Sequence, residues 1–320
     1  MPGEFELIAR HFSPATHHTV LAGGDDAALI APPPGMELAV STDMLVAGRH
    51  FPPDADPASV GHKSLAVNLS DMAAMGARPR WATLSLALPA IDEAWIAAFM
   101  RGFMTLAADH DVDLVGGDTT SGPLNLCVQI IGDVPAGQAL RRCGACAGDL
   151  VWVSGTLGEA AVGLRCLRGE WALPAPERAR CLQRLERPQP RVQLGVALRG
   201  IAHAAIDVSD GLVADLGHIA GRSSVRAVVR WPQVPRPGTG HDGPALRECV
   251  LAGGDDYELC FTAPAHATPA IHALAQRFSL PLTAIGHIEQ GSPGVTVYDA
   301  DGAPLVLQAA GFDHFRTPSG

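Results

Sequence analysis

Apolar positions fall in short runs of two periods, one near two residues and one near 3.6, broken by clusters of glycine, aspartate and proline. Residues 37–41 (Glu-Leu-Ala-Val-Ser) read as a short strand running into the polar cluster Ser41-Thr42-Asp43. A helix is predicted from Pro57 to Met75, with proline in its first turn and Gly76 placed to end it. Trp81 to Leu88 alternates like a strand, and Asp92 to Asp109 has helical spacing. Val112 to Val115 is a strand entering the loop Gly116-Gly117-Asp118, and Leu124 to Val134 is another strand. The segment from Pro135 to Gly148 has no periodicity and marks a boundary. Beyond it come a strand from Leu150 to Ser154, helical stretches to about His203, and a strand from Ala205 to Val208 that enters Ser209-Asp210-Gly211. Residues 231–244 read as a loop, followed by a helix to Leu251, a strand from Tyr257 to Thr262 and a helix after His266. Interleaved strands and helices predict a mixed α/β (α+β) fold in two domains, residues 1–137 and 148–320.

Composition narrows the class. A chain of 320 residues exceeds what one core usually organises. Its 47% apolar and 18% charged residues suit a globular protein. No apolar run approaches the roughly 18 residues of a membrane span, and Met1 to Glu6 lacks a signal peptide's basic and apolar regions, so the expected compartment is the cytoplasm, with no membrane partner. The formal charge of −10 argues against a nucleic-acid partner. Seven scattered cysteines suit reduced thiols; Cys143 and Cys146 have C-x-x-C spacing, but without a second pair they read as loop cysteines.

The candidate chemistry lies in aspartates placed beside glycines at strand ends: Asp25 and Asp26, Asp43, Asp118, and Asp207 with Asp210. Taken singly, each is ordinary turn or capping chemistry. Converging, they would form a negative pocket that only bound cations make favourable. Ser64, Asn68 and Asp71 share one face of the helix 57–75, amid a stretch from Ala66 to Met75 that carries no Lys, Arg or Glu. Carboxylate and hydroxyl oxygens are the donors Mg²⁺ prefers, usually shared with substrate phosphates, which points to phosphoryl transfer. Arg142 and Lys63 are the candidate cations, although Arg141-Arg142 also fits a solvated basic pair. The chain has no P-loop and no protein-kinase motif set.

In order along the chain, Gly24-Asp25-Asp26-Ala27-Ala28, Ser41-Thr42-Asp43 with Val46 to Phe51, Asn68 to Gly76, Gly116 to Thr120, Asp207 to Leu212, Gly253 to Leu259 and Gly311 to Phe315 resemble the thiamine-monophosphate kinase family. That family belongs to the aminoimidazole ribonucleotide synthetase-like superfamily. The resemblance implies two joined α/β domains, N-terminal domains pairing into a homodimer, and an active site in a cleft between domains near the dimer contact. It implies that the N-terminal domain carries metal and ATP residues and that the C-terminal domain completes the ATP and substrate site. Asp26, Ser41, Thr42, Asp43, Asp71, Asp118, Asp207 and Asp210 then coordinate several Mg²⁺ ions, with Asp43, Asp71, Asp118 and Asp210 central to catalysis. Gly117, Asp118, Arg142 and Ser209 contact ATP, and His50, Asp255 and Phe312 contact thiamine monophosphate. K⁺ enters as a candidate activator. The family commonly has Glu at 255, and often Trp or Tyr at 312.

The implied activity is ATP-dependent phosphorylation of thiamine monophosphate to thiamine diphosphate, the last step of its biosynthesis. The alternatives are an ATP-dependent synthetase of the same superfamily and a metal and nucleotide binder without turnover.

Overall fold

The computed structural model describes residues 10–241, 243–307 and 311 and has a mixed α/β fold. It divides into two compact units between Ala139 and Leu140.

The first unit holds strands β1 (Thr19–Leu21), β2 (Leu29–Ile30), β3 (Met36–Val46), β4 (Arg78–Leu88), β5 (Asp113–Ser121) and β6 (Asn125–Pro135), with helices α1 (Pro57–Ala74) and α2 (Glu93–Asp109). Its main sheet has the order β3-β6-β4-β5, with β3 antiparallel to β6 over its whole length and β5 parallel to β4. Asp56 caps α1, accepting from the Ser59 N–H at 3.0 Å, and Pro57 stands where its missing N–H costs nothing. Helix α1 packs on β3, β6 and β4 and also against α2. Apolar neighbours on two sides account for its lack of surface charges. Leu65, Leu69 and Met72 are fully buried there, each contributing on the order of 1.5–3 kcal/mol. The opposite sheet face is open, with Leu38, Val40 and Met44 at 43%, 58% and 55% exposure.

The second unit has strands β7 (Asp149–Ser154), β8 (Ala204–Asp207), β9 (Arg226–Arg230), β10 (Leu259–Pro264), β11 (Leu282–Glu289) and β12 (Gly294–Tyr298). Its helices are α3 (Glu159–Leu167), α4 (Ala175–Glu186), α5 (Val192–Leu198), α6 (Leu212–Ser223), α7 (Pro244–Leu251) and α8 (Thr268–Phe278). The strands form one sheet of order β12-β9-β11-β7-β10-β8. Val151, Val153, Ile206, Leu216, Val229 and Ile285 belong to its core. All the cysteines are free; Cys166, Cys181, Cys249 and Cys260 are buried, and Cys143 and Cys146 are exposed. Among the described residues no helix is long and apolar enough to cross a membrane.

The strands β1, β2, β9, β11 and β12 are absent from the sequence reading, and three elements near the candidate residues differ from it in their bounds. The strand expected to end at Ser41 runs on to Val46, so Thr42 and Asp43 sit inside β3, because the alternation resumes through Met44, Leu45 and Val46 and every residue finds a partner on β6. Asp118 likewise lies within β5, paired with Ser85, and not in a loop. The strand expected from Tyr257 begins at Leu259, because Asp255 and Tyr257 adopt positive φ angles of 68° and 50° that break extended pairing.

Candidate functional site

In the first unit the pleat of β3 separates the polar cluster into two sets. Ser41 and Asp43 face the helix side, where the Ser41 hydroxyl donates to Asp71 Oδ2 at 2.5 Å and the Asp43 N–H donates to Asn68 Oδ1 at 3.2 Å. Asn68 is itself fixed, donating to the Ser64 carbonyl at 3.0 Å. The stripe Ser64, Asn68, Asp71 is therefore an inward face of α1: Ser64 and Asn68 are buried and Asp71 is half-buried at the sheet. Thr42 points to the other face, its hydroxyl donating to the Val128 carbonyl at 3.0 Å.

Asp118 is exposed on β5, at the far edge of the sheet from β3. Two strands stand between them, roughly 14 Å at the usual strand spacing. Gly117 has a φ of 152°, and a Cβ there would lie 1.8 Å from the Leu84 carbonyl oxygen, so only glycine lets this strand approach β4. Asp26 is exposed in the turn after Gly24. The segment before it is anchored by buried Asp113, whose carboxylate accepts from the N–H groups of His17 and His18 at 2.8 and 2.7 Å and from the Thr19 hydroxyl at 2.7 Å. Burial pushes the Asp113 carboxyl upward in pKa, and these bonds outweigh it to leave the value lowered. His50 closes the turn after β3: its Nδ1 accepts from the Val46 N–H at 3.0 Å, which leaves the ring proton of the neutral form on Nε2. Lys63 is buried in α1.

The fold thus joins Ser41, Asp43 and Asp71, and holds Thr42 and Asp118 apart from them. The donors it joins are carboxylate and hydroxyl oxygens only, which is the set that fits Mg²⁺.

In the second unit β8 ends at Asp207, which is buried, and leads to half-buried Ser209 and Asp210. The intervening loop is organised by Asp215 on α6. One carboxylate oxygen of this buried residue accepts from the N–H groups of Ser209, Asp210 and Gly211 at 3.0, 3.0 and 3.1 Å. Burial pushes its carboxyl up to about 7 against the pull of those bonds, and the Asp210 charge adds to the rise. These amides are engaged with Asp215 and do not form a phosphate cradle.

The Gly253–Tyr257 segment packs back on the same loop. Asp255 donates its N–H to the Ser209 carbonyl at 2.9 Å, and Tyr257 its N–H to the Val208 carbonyl at 2.8 Å. The Tyr257 hydroxyl holds Asp255 Oδ1 at 3.0 Å. Asp255 therefore stands beside Ser209 and Asp210. Asp256 turns inward to accept from the Gly158 N–H at 2.8 Å, and burial raises its pKa well above the usual carboxylate range. Glu258 is buried in a pair with Arg191 and accepts from the Ser154 hydroxyl at 2.5 Å. Arg142 is exposed on the loop before β7. Phe312 lies outside the described residues; Gly311 before it rests on the Asp210 carbonyl and Ala214.

Sequence reasoning missed Asp113, Asp215 and Asp256, the anchors of these loops. The available signal was an aspartate four residues after Gly211, early in a helix, within reach of the preceding loop's amides.

The chain is similar to known proteins over nearly its whole length. Residues 24–134 match the AIR synthase related protein N-terminal domain and residues 147–299 match the corresponding C-terminal domain. Thiamine-monophosphate kinase from Salmonella typhimurium is 46% identical, with 99% of each chain covered. The crystal structure of thiamine-monophosphate kinase from Stenotrophomonas maltophilia is 51% identical with a TM-score of 0.83, covering 90% of this chain and 92% of that one. A solved structure of AaThiL complexed with AMPPCP and TMP is 32% identical with a TM-score of 0.76, covering 89% of each chain. With both domain models matched in order and identity sustained from end to end, the chain belongs to the thiamine-monophosphate kinase family.

Proposed function

We propose that this chain transfers the γ-phosphoryl group of ATP to the phosphate of thiamine monophosphate, yielding thiamine diphosphate and ADP, the last step of thiamine diphosphate biosynthesis. The observation that carries this reading is the 46% identity to a thiamine-monophosphate kinase over 99% of both chains. The AaThiL structure holding AMPPCP and TMP, which this chain matches over 89% of its length, supports the same pair of substrates.

A phosphate oxygen of the acceptor attacks the γ-phosphorus in line, and the bond to the β–γ bridging oxygen breaks as ADP leaves. The attacking oxygen is already anionic, so no residue has to remove a proton. The chain's task is alignment and charge neutralisation. Asp26, Ser41, Asp43 and Asp71 of the first unit, with Asp207 and Asp210 of the second, would hold Mg²⁺, and Thr42 and Asp118, which the sheet sets apart from Ser41, Asp43 and Asp71, would serve other ions of the set; the ions would neutralise the phosphate oxygens between which the phosphoryl group moves. Gly117, Asp118, Arg142 and Ser209 would contact ATP, and His50, Asp255 and Phe312 thiamine monophosphate. Ser209 and Asp255, bonded through the backbone at 2.9 Å, would set nucleotide and acceptor side by side. K⁺ would act as an activator.

The open sheet face around Leu38, Val40 and Met44 supports pairing with a second copy, since an exposed apolar patch of this kind usually marks an interface.

The test is formation of thiamine diphosphate from ATP and thiamine monophosphate by the purified protein, with and without Mg²⁺ and with free thiamine as control acceptor. Metal-dependent product from the monophosphate alone is expected. ATP binding with no product from either acceptor would overturn the reading in favour of a superfamily relative of different specificity or a non-catalytic binder.

A further inference from the structure

The loop before β7 gathers a second, chemically different donor set. It runs from Arg141 to Gly148 and is fixed along its length. The Arg141 carbonyl accepts from the Ala205 N–H at 2.9 Å, the Ala145 N–H donates to the Ser223 hydroxyl at 3.2 Å, and the Gly148 N–H donates to the Ile288 carbonyl at 2.8 Å. Gly144 lies so close to the residue before β8 that a Cβ on it would sit 2.6 Å from the His203 carbonyl oxygen. The loop closes on itself at its end: the Cys146 N–H donates to Asp149 Oδ2 at 2.9 Å, and the Asp149 N–H to the Cys146 carbonyl at 3.0 Å. His203 Nδ1 meets the same carboxylate at 2.9 and 3.0 Å.

The outcome is a thiol, an imidazole nitrogen and a carboxylate oxygen within 4.8 Å of one another. A tetrahedral zinc ion with ordinary bond lengths spaces its ligand atoms by roughly 3.4 Å. The three atoms reach that spacing if the Asp149–His203 contact opens by about half an ångström and the contacts of the Cys146 sulfur, within 4.8 Å, close by about 1.4 Å at most. Asp149 is 3% exposed, a buried anion on the inner side, whereas Cys146 is exposed and the His203 side chain is 40% exposed, so an ion can reach the set from solvent. With a thiolate and a carboxylate, a divalent cation would be charge-neutral there. The sulfur and nitrogen donors separate this set from the all-oxygen aspartate clusters: Mg²⁺ is hard and prefers oxygen, while Zn²⁺ and Co²⁺ accept mixed sulfur and nitrogen ligands.

We propose that Cys146, Asp149 and His203 form a binding site for a thiophilic divalent cation such as Zn²⁺, with three protein ligands and a fourth position open to water. The ion would be structural. It would tie the loop that carries Arg142 to the start of β8, the strand that ends at Asp207.

The test is metal binding to the full-length protein, reduced beforehand, in millimolar Mg²⁺ to saturate the oxygen sites. Zn²⁺ or Co²⁺ is added and excess is removed by desalting. One equivalent per chain should be retained, and the Co²⁺ form should show a thiolate-to-cobalt charge-transfer band in the near ultraviolet. Cys146→Ser should abolish that band, and His203→Ala should weaken Zn²⁺ binding by at least roughly 10–100-fold, the loss that even outer-shell partners produce. Cys143→Ser, which cannot form a disulfide across the C-x-x-C pair, should retain both stoichiometry and band. Cys146 and His203 are surface side chains, and an unchanged circular dichroism spectrum establishes that each variant is folded. Absence of stoichiometric binding in the unmodified protein, a band that survives Cys146→Ser, or binding lost in Cys143→Ser would overturn the proposal.

Discussion

Asp215 offers the most discriminating test of how the Ser209–Gly211 loop is built. Replacing it with alanine removes the acceptor of three backbone N–H groups, those of Ser209, Asp210 and Gly211. At about 1 kcal/mol net for each bond, and with the Gly211 amide buried and unable to find water, Asp215→Ala should cost about 3 kcal/mol. Asp215→Asn should behave differently, because the amide oxygen can still accept and its neutral side chain resembles the protonated acid.

The pH dependence follows from the same geometry. The carboxyl is raised from 3.8 to about 7 in the folded state, chiefly by burial, so the folded protein binds the extra proton between those values. Stability from this group is fully present below the unfolded value and is lost as pH rises through about 7. Relative to Asp215→Asn, the unmodified protein should lose about 2–3 kcal/mol between pH 5 and pH 8 without Mg²⁺. Mg²⁺ held at Asp210 would offset that residue's charge and shrink the difference.

Urea unfolding across this pH range measures the stabilities, and hydrogen exchange at residues 209–211 reports the loop directly. In Asp215→Ala those amides should lose protection and phosphoryl transfer should fall at least tenfold, while Asp215→Asn should keep both. Unchanged protection in the alanine variant, or a difference between asparagine and aspartate that stays flat with pH, would refute the reasoning.

Other expectations follow from the first unit and from the acceptor end. Asp71→Asn or Asp43→Asn should reduce thiamine diphosphate formation by at least about 10³-fold with an unchanged circular dichroism spectrum; full activity in either would contradict the metal assignment. Gly117→Ala drives a Cβ to 1.8 Å from the Leu84 carbonyl oxygen and should cost at least about 3 kcal/mol, read as a lowered urea midpoint. Tyr257→Phe releases Asp255 Oδ1 and should raise KM for thiamine monophosphate about fivefold, the equivalent of one hydrogen bond, with KM for ATP unchanged. Val40→Glu with Met44→Glu should convert a dimer to monomers in light scattering, and a dimer that survives both changes would move the interface elsewhere.

The sequence disclosed which residue types matter more readily than where they sit. Helix α1 was legible because Pro57 and Gly76 bracket it, and its inward polar stripe followed from helical spacing. The positions of Thr42, Asp43 and Asp118 were misread because polar residues and glycine resemble strand ends. What keeps them in strands is complete pairing with β6 and β4, a long-range property that no local window contains. The strands β1, β2, β9, β11 and β12 escaped for related reasons: β1 and β2 are only three and two residues long, and β9, β11 and β12 are short or mixed in polarity with partners far away in the chain.

The deeper limit is that aspartate serves two purposes here with one appearance. Asp113, Asp215 and Asp256 are turned inward and spend their oxygens on backbone N–H groups, fixing loops. Asp26 and Asp118 are exposed, and Asp43, Asp71 and Asp210 half-buried; these are the aspartates proposed to hold Mg²⁺. In sequence the two sets present the same side chain among similar neighbours, and burial separates them. Asp207 crosses that division, being buried yet in a ligand motif. If it binds metal, the ion must reach it through the loop that Asp215 shapes, so loosening that loop by Asp215→Ala should weaken Mg²⁺ dependence as well as transfer. Anchor and ligand aspartates would then act as one device, the first holding the backbone that gives the second their spacing.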